Sequence, residues 1–187
     1  MPEPPSVAGR ERLRLFVALV LPQAARERLV DWQHRALADA EGIRIVSPAN
    51  LHVTIAFLGS RPVAELEPIL GVMRQAAAPA VPPALTAARY RETRSVGMVV
   101  FDDEGERASA LAERLFAGLE GAGVYERERR GWLAHVTVLR FRGRPPRLAP
   151  DLPDLGPVSP SEVALYHSVL RRTGAQYEIR ESAPLGG

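Results

Sequence analysis

No cysteine occurs in the chain. That excludes disulfides, thiolate catalysis and cysteine-based zinc sites. Lysine is missing as well, since all 24 basic residues are arginine, a usage that genome composition accounts for as readily as function. No apolar run approaches the roughly 20 residues that a membrane-spanning helix needs. The opening residues, Met1 to Gly9, lack the basic and apolar regions of a signal peptide, so a flexible leader over 1–11 and a cytoplasmic location are expected. There is no HxH, no HExxH and no carboxylate cluster beside a histidine, so neither metal nor cofactor is expected. There is also no GxSxG to support serine-histidine-aspartate catalysis.

What remains suits a soluble globular protein. The chain has 187 residues, 46% hydrophobic and 25% charged, enough for one domain or two small lobes. The net charge of +2 makes a weak general case for nucleic acid. Its distribution is more suggestive, because Arg127, Arg129, Arg130, Arg140, Arg142, Arg144 and Arg147 cluster in one region of the sequence. Such a patch would attract phosphate, although a solvated arginine-rich surface reads the same way.

Periodicity predicts a strand over 12–21, a helix over 24–40 ended by Gly42, a short strand over 43–46 and a strand over 51–58 broken by Gly59 to Pro62. A second helix follows over 63–78, strands over 85–94 and 97–102, and a third helix over 105–119. A strand over 132–141, a loop-like segment over 145–160 with six prolines, and a closing hairpin over 162–172 and 176–181 complete the chain. Strand, helix and strand occur twice at an offset of 83, which carries Phe16 to Val99, Pro22 to Gly105 and His52 to His135. Two similar lobes about a pseudo-twofold axis are therefore expected, with a groove between them.

Two short motifs stand at equivalent places in that repeat: Asn50-Leu-His-Val-Thr-Ile-Ala-Phe-Leu-Gly59 and Ala134-His-Val-Thr-Val-Leu-Arg-Phe141. Residues i and i+2 of a strand share a face, so His52 projects with Thr54, and His135 with Thr137. One such histidine would more often be structural than catalytic. Two in matching context are hard to dismiss, whereas His34 and His167 lack any such context and are taken as structural. Displacement at phosphorus is roughly in line, so a neutral imidazole on one side can take a proton from water. A protonated one on the other side can give a proton to the leaving oxygen. Thr54 and Thr137 can donate to non-bridging oxygens, and Arg140 can neutralise developing charge.

These motifs resemble those of the two-histidine phosphoesterases, specifically the RNA 2′,3′-cyclic phosphodiesterases also called 2′-5′ RNA ligases. Arg14-Leu-Phe-Val-Ala18 with Leu21-Pro22 is similar to that family's opening strand. Leu165-Tyr-His-Ser168 and Gly174-Ala-Gln-Tyr177 are similar to its closing hairpin. Ile45 stands where many members carry an aromatic residue, and Ser47 and Ala134 where many carry proline. The resemblance implies a bilobal α+β fold with antiparallel sheets lining a central groove and helices outside. The implied reaction is metal-independent hydrolysis of an RNA 2′,3′-cyclic phosphate end to a 2′-phosphate, with reversible 2′-5′ joining in many members. His52 and His135 become the acid–base pair. Sequence symmetry does not decide their roles, and His52 as acid to the 3′ oxygen with His135 as base is the starting assignment. Thr54, Thr137 and Arg140 hold the phosphate, and Phe16 packs against the nucleobase. A monomer with an RNA substrate and no membrane partner is expected. The competing expectations are a non-catalytic RNA-end binder, and a related phosphodiesterase acting on 2′-5′ oligoadenylate or ADP-ribose cyclic phosphate.

Overall fold

The apolar alternation of the central strands leaves the sheet one face for helices and one for a groove. The structure, a computed structural model, describes residues 11–143, 148–172 and 174–186. Most of the expected leader, Arg144 and Arg147 lie outside the described residues. Strand β1 (Arg12–Val20) leads through helix α1 (Gln23–Ala36) and the short β2 (Ile43–Ile45) into β3 (His52–Pro62). Helix α2 (Leu66–Ala77) is followed by β4 (Ala84–Glu92) and β5 (Val96–Glu104). Helix α3 (Arg107–Gly121), β6 (His135–Phe141) and the hairpin of β7 (Glu162–Arg171) and β8 (Gly174–Pro184) complete the order.

All the strands pair antiparallel in one sheet of order β4-β5-β6-β3-β1-β7-β8, with β2 beside β6. The order β4-β5-β6 is echoed in reverse by β3-β1-β7, which is the expected pseudo-twofold arrangement. The two halves join at β3 and β6 through the single pair Val53 and Val136. These are the middle residues of the two HxT motifs, and both are fully buried. The local axis of the duplication therefore runs through the motifs themselves.

One face of the sheet carries the main core. Leu15, Val17 and Leu19 of β1 pack there with Leu29 and Trp32 of α1, Met73 of α2, and Leu111 and Leu115 of α3. Asp103 starts α3 by accepting hydrogen bonds from the backbone N–H groups of Ala108 (3.0 Å) and Ser109 (2.8 Å), which offsets the helix's unsatisfied first turn. The opposite face holds a small cluster of Phe16, Ala18, Ala164 and Tyr166.

Three expectations change. The repeat is not uniform in offset. Val20 lies opposite His52 and Val100 opposite His135, so the second lobe's connection from strand to motif is three residues longer. Helix α1 stops at Ala36, capped at Leu37, short of the expected Gly42. Strand β3 continues through Gly59 instead of ending there. Gly59 takes φ 70 at an irregularity where Leu15 pairs with Gly59 and Phe16 with Phe57. Only glycine adopts that conformation at little cost, so the residue bends the strand without breaking it.

Candidate active site

His52 and Thr54 on β3, and His135 and Thr137 on β6, all line one open groove of about 610 Å³ on the face away from the main helices. Because β3 and β6 pair antiparallel at Val53 and Val136, His52 lies on the Thr137 side and His135 on the Thr54 side. Neither threonine hydroxyl makes a protein hydrogen bond among the described residues. Both are therefore available to a ligand in the groove.

Strict alternation would send Arg140 to the buried face, since His135 and Thr137 already occupy the groove face. A β-bulge resolves this. In the β5–β6 pairing, Gly97 faces Leu139 and Met98 faces Thr137, which skips Val138. In the β1–β3 pairing, Val17 faces Ala56 and Ala18 faces Thr54, which skips Ile55. Ile55 and Val138 are themselves 83 apart, so the bulge is part of the duplication. It inverts the phase of each strand beyond the motif and turns Phe57, 66% exposed, and Arg140 into the groove.

Each bulge is held by a side-chain N–H. The amide of Gln33, the one buried polar residue among those described at 2% exposure, donates to the carbonyls of Val138 (2.7 Å) and Val46 (3.1 Å). The indole of Trp132 crosses the lobe boundary to the carbonyl of Thr54 (3.0 Å). Gln33→Met keeps the volume and removes the donors, so a loss of about 1–3 kcal/mol in urea unfolding is expected. Its effect on turnover is expected to shrink in an Arg140→Ala background, because the bulge acts through Arg140.

The two histidines have different surroundings. Leu133 supplies the carbonyl that accepts from Nδ1–H of His135 (2.8 Å), which leaves Nε2 as the nitrogen that exchanges a proton. Asn50 stands in the equivalent place for His52, but its carbonyl misses hydrogen-bonding geometry and Nδ1 of His52 is buried without a partner. His52 sits among rings: Phe16 at 4.9 Å, Tyr177 edge-on at 5.4 Å and Tyr166 at 5.6 Å between centroids. This burial, reinforced by the positive fields of His135 and Arg140, lowers the His52 pKa to about 4, and the Asn50 carbonyl offsets it only in part. His52 is thus neutral at pH 7.

The shift has a consequence for stability. Between pH 4 and 6.5 the unfolded chain binds a proton at His52 that the folded chain does not, so stability is full above pH 6.5 and falls as pH drops toward 4. The difference between about 4 folded and 6.5 unfolded corresponds to about 3 kcal/mol. Urea unfolding at pH 7 and pH 4.5 is expected to show a gap smaller by about 2–3 kcal/mol in His52→Gln than in the wild type. Equal gaps would contradict the burial of a neutral ring.

Phe16 does not reach the ligand space. It is 2% exposed and absent from the groove lining, because Tyr166 stacks on it at 4.9 Å with planes 3° apart and Tyr177 closes over its edge. It supports His52 from below, and Phe57 and Tyr177 present the aromatic surface instead. The expected arginine patch is also dispersed. Arg127 pairs with Glu113 and Glu120, Arg130 pairs with Glu128, and among the described residues of that set Arg140 alone lines the groove. Its companions come from elsewhere: Arg14 on β1, Arg44 on β2 and Arg171 on β7. No aspartate or glutamate lines the groove among the described residues, and none of these four arginines forms an ion pair there. His34 and His167 stay outside it. No group of acidic and histidine side chains suited to a metal occurs among the described residues, and no described helix is long and apolar enough to cross a membrane.

Two antiparallel half-sheets that meet at paired HxT strands, with an anion-friendly groove in front and helices behind, define a two-histidine phosphoesterase. The chain belongs to the LigT-like phosphoesterase family, whose model matches residues 19–93. It is 34% identical over 184 residues to an RNA 2′,3′-cyclic phosphodiesterase of Thermus thermophilus, covering 94% of this chain and 91% of that protein. The fold is similar to that of TT0787 from Thermus thermophilus, with a TM-score of 0.80 at 30% identity over 94% of this chain and 99% of that one. It is also similar to apo LigT of E. coli, with a TM-score of 0.80 at 23% identity over 95% and 99% of the two chains.

Proposed function

We propose that this protein hydrolyses the 2′,3′-cyclic phosphate at an RNA end to a 2′-phosphate, without a metal. The observation that carries this reading is the groove itself. It holds two imidazoles and two free hydroxyls around the paired motifs, with arginines and no carboxylate on its walls among the described residues. Kinship with an RNA 2′,3′-cyclic phosphodiesterase at 34% identity supports the same substrate class.

The chemistry follows from the two environments. The cyclic phosphate lies over Val53 and Val136, with its non-bridging oxygens toward Thr54, Thr137 and Arg140. A water attacks phosphorus on one side as the bond to O3′ breaks on the other. One imidazole takes the proton that water loses, and the other gives a proton to O3′. The products are a 2′-phosphate and a free 3′-hydroxyl, and the proton inventory balances. Burial among the rings lowers the His52 pKa to about 4, so its neutral imidazole is suited to accept the proton. His135, with Nδ1–H anchored on Leu133, is then the donor through Nε2. This reverses the starting assignment, which sequence symmetry leaves open. A 5′-hydroxyl in place of water would give a 2′-5′ phosphodiester by the same transfers.

Two experiments address this reading. A nucleoside 2′,3′-cyclic phosphate incubated with the protein in EDTA should turn over fully, and persistence of the substrate with excess protein would favour a binding role. A substrate with a thiolate leaving group at the 3′ position should largely rescue His135→Ala and leave His52→Ala inactive. Rescue of His52→Ala instead would restore the opposite assignment.

A further inference from the structure

Arg44 has no part in the mechanism above, yet its placement is costly unless an anion joins it. It stands on β2 directly opposite Arg140 on β6, and both are exposed and line the groove. Like charges directly opposite on antiparallel strands destabilise the pairing. Among the described residues, neither guanidinium has a carboxylate partner.

Arg44 reaches the start of β8, at the tip of the β7–β8 hairpin. Gly174 opens β8 with φ 124, and a Cβ there would lie 2.7 Å from Nη1 of Arg44. The next carbonyl, that of Ala175, is held at 2.9 Å by the side-chain amide of Asn50, so the tip is tied to the segment that leads into His52. The guanidinium of Arg44 thus lies against β8, while its residue stands opposite Arg140, a cation that repels it.

The scissile phosphate has little use for Arg44 as a second cation. A cyclic phosphodiester carries one negative charge and two non-bridging oxygens, and Arg140, Thr54 and Thr137 already supply donors for them. The nearest other anion on an RNA with a cyclic end is the phosphodiester on the 5′ side of the terminal nucleotide. We propose that Arg44 binds this upstream phosphodiester, so that the groove is built for an RNA strand and not for a mononucleotide. The inference rests on the cyclic-phosphodiesterase reading and narrows its substrate. Ile45 and Leu170, 37% and 72% exposed in the same groove, offer apolar surface to the upstream base.

The test compares cytidine 2′,3′-cyclic phosphate with the dinucleotide that ends in the same cyclic cytidylate. The wild type should prefer the dinucleotide by at least ten-fold in kcat/KM, mainly through KM. Arg44→Ala should lower kcat/KM at least ten-fold more for the dinucleotide than for the mononucleotide. It should also reduce the slope of log kcat/KM for the dinucleotide against log salt by about 0.7, the value for one contact to a single-strand phosphate. Equal losses on both substrates would place Arg44 at the scissile phosphate and overturn the inference while leaving the cyclic-phosphodiesterase reading intact. Failure of the wild type to turn over either substrate would instead overturn the reading on which the inference rests.

Discussion

Alanine at either His52 or His135 should lower kcat for a 2′,3′-cyclic phosphate by about 10²–10⁴-fold, the usual contribution of a positioned acid or base. The two imidazoles act in one concerted displacement, so the double variant should be little worse than the poorer single one. A merely structural histidine would behave differently. His52 contributes to packing against Phe16, Tyr166 and Tyr177, so its alanine variant also loses stability. His52→Gln keeps more of the contact and should lose the same activity with a smaller fall in Tm. His135 faces the groove with its Nδ1 side tied to Leu133, and its replacement should leave Tm nearly unchanged. Full activity in either variant would remove the acid–base account.

The second large effect belongs to Arg140. Arg140→Ala should reduce kcat by about 10²–10³-fold, the loss expected when one preorganised donor to developing transition-state charge is removed. The guanidinium is exposed, lines the groove and is unpaired among the described residues, so its removal leaves no buried partner behind and should cost little stability. Arg140→Lys should recover only part of the rate, because an ammonium lacks the planar fork that grips two phosphate oxygens. The alanine variant also relieves the like-charge pairing with Arg44, so a small gain in thermal stability alongside the loss of turnover is expected. A drop in stability that matches the drop in rate would make Arg140 structural.

Much of this site was legible in the sequence because its strongest signal is periodic. Histidine and threonine two residues apart in an apolar strand share a face whatever surrounds them, and the second copy showed that a groove joins them. The duplication followed from the same pattern, and the α+β architecture from the family resemblance. What alternation could not supply was the phase beyond the motif. Arg140 and Phe57 reach the groove only because Val138 and Ile55 are skipped in the pairing, and no local residue announces a bulge. Gln33 was equally hidden, since the carbonyl it holds lies 105 residues away in sequence. The resemblance packs Phe16 against the nucleobase, but Tyr166 and Tyr177 arrive from the C-terminal hairpin and cover it. The arginines illustrate the converse. Arg127 and Arg130 of the sequence cluster pair with nearby glutamates, while the arginines gathered in the groove come from β1, β2, β6 and β7.

The two lobes also divide their labour in a way that the bare motifs do not reveal. The first surrounds its histidine with aromatic rings and holds it neutral. The second ties its histidine to the Leu133 carbonyl and sets a pair of arginines beyond it. A symmetric acid–base pair becomes directional through its neighbours, with the dry side suited to receive a proton and the cationic side suited to hold phosphate.

The most direct test is the fate of a defined oligoribonucleotide ending in a 2′,3′-cyclic phosphate, incubated with the protein in EDTA and followed by ³¹P NMR. The predicted product carries a 2′-phosphate and a free 3′-hydroxyl. An unchanged cyclic phosphate, or a product carrying a 3′-phosphate, would contradict the account.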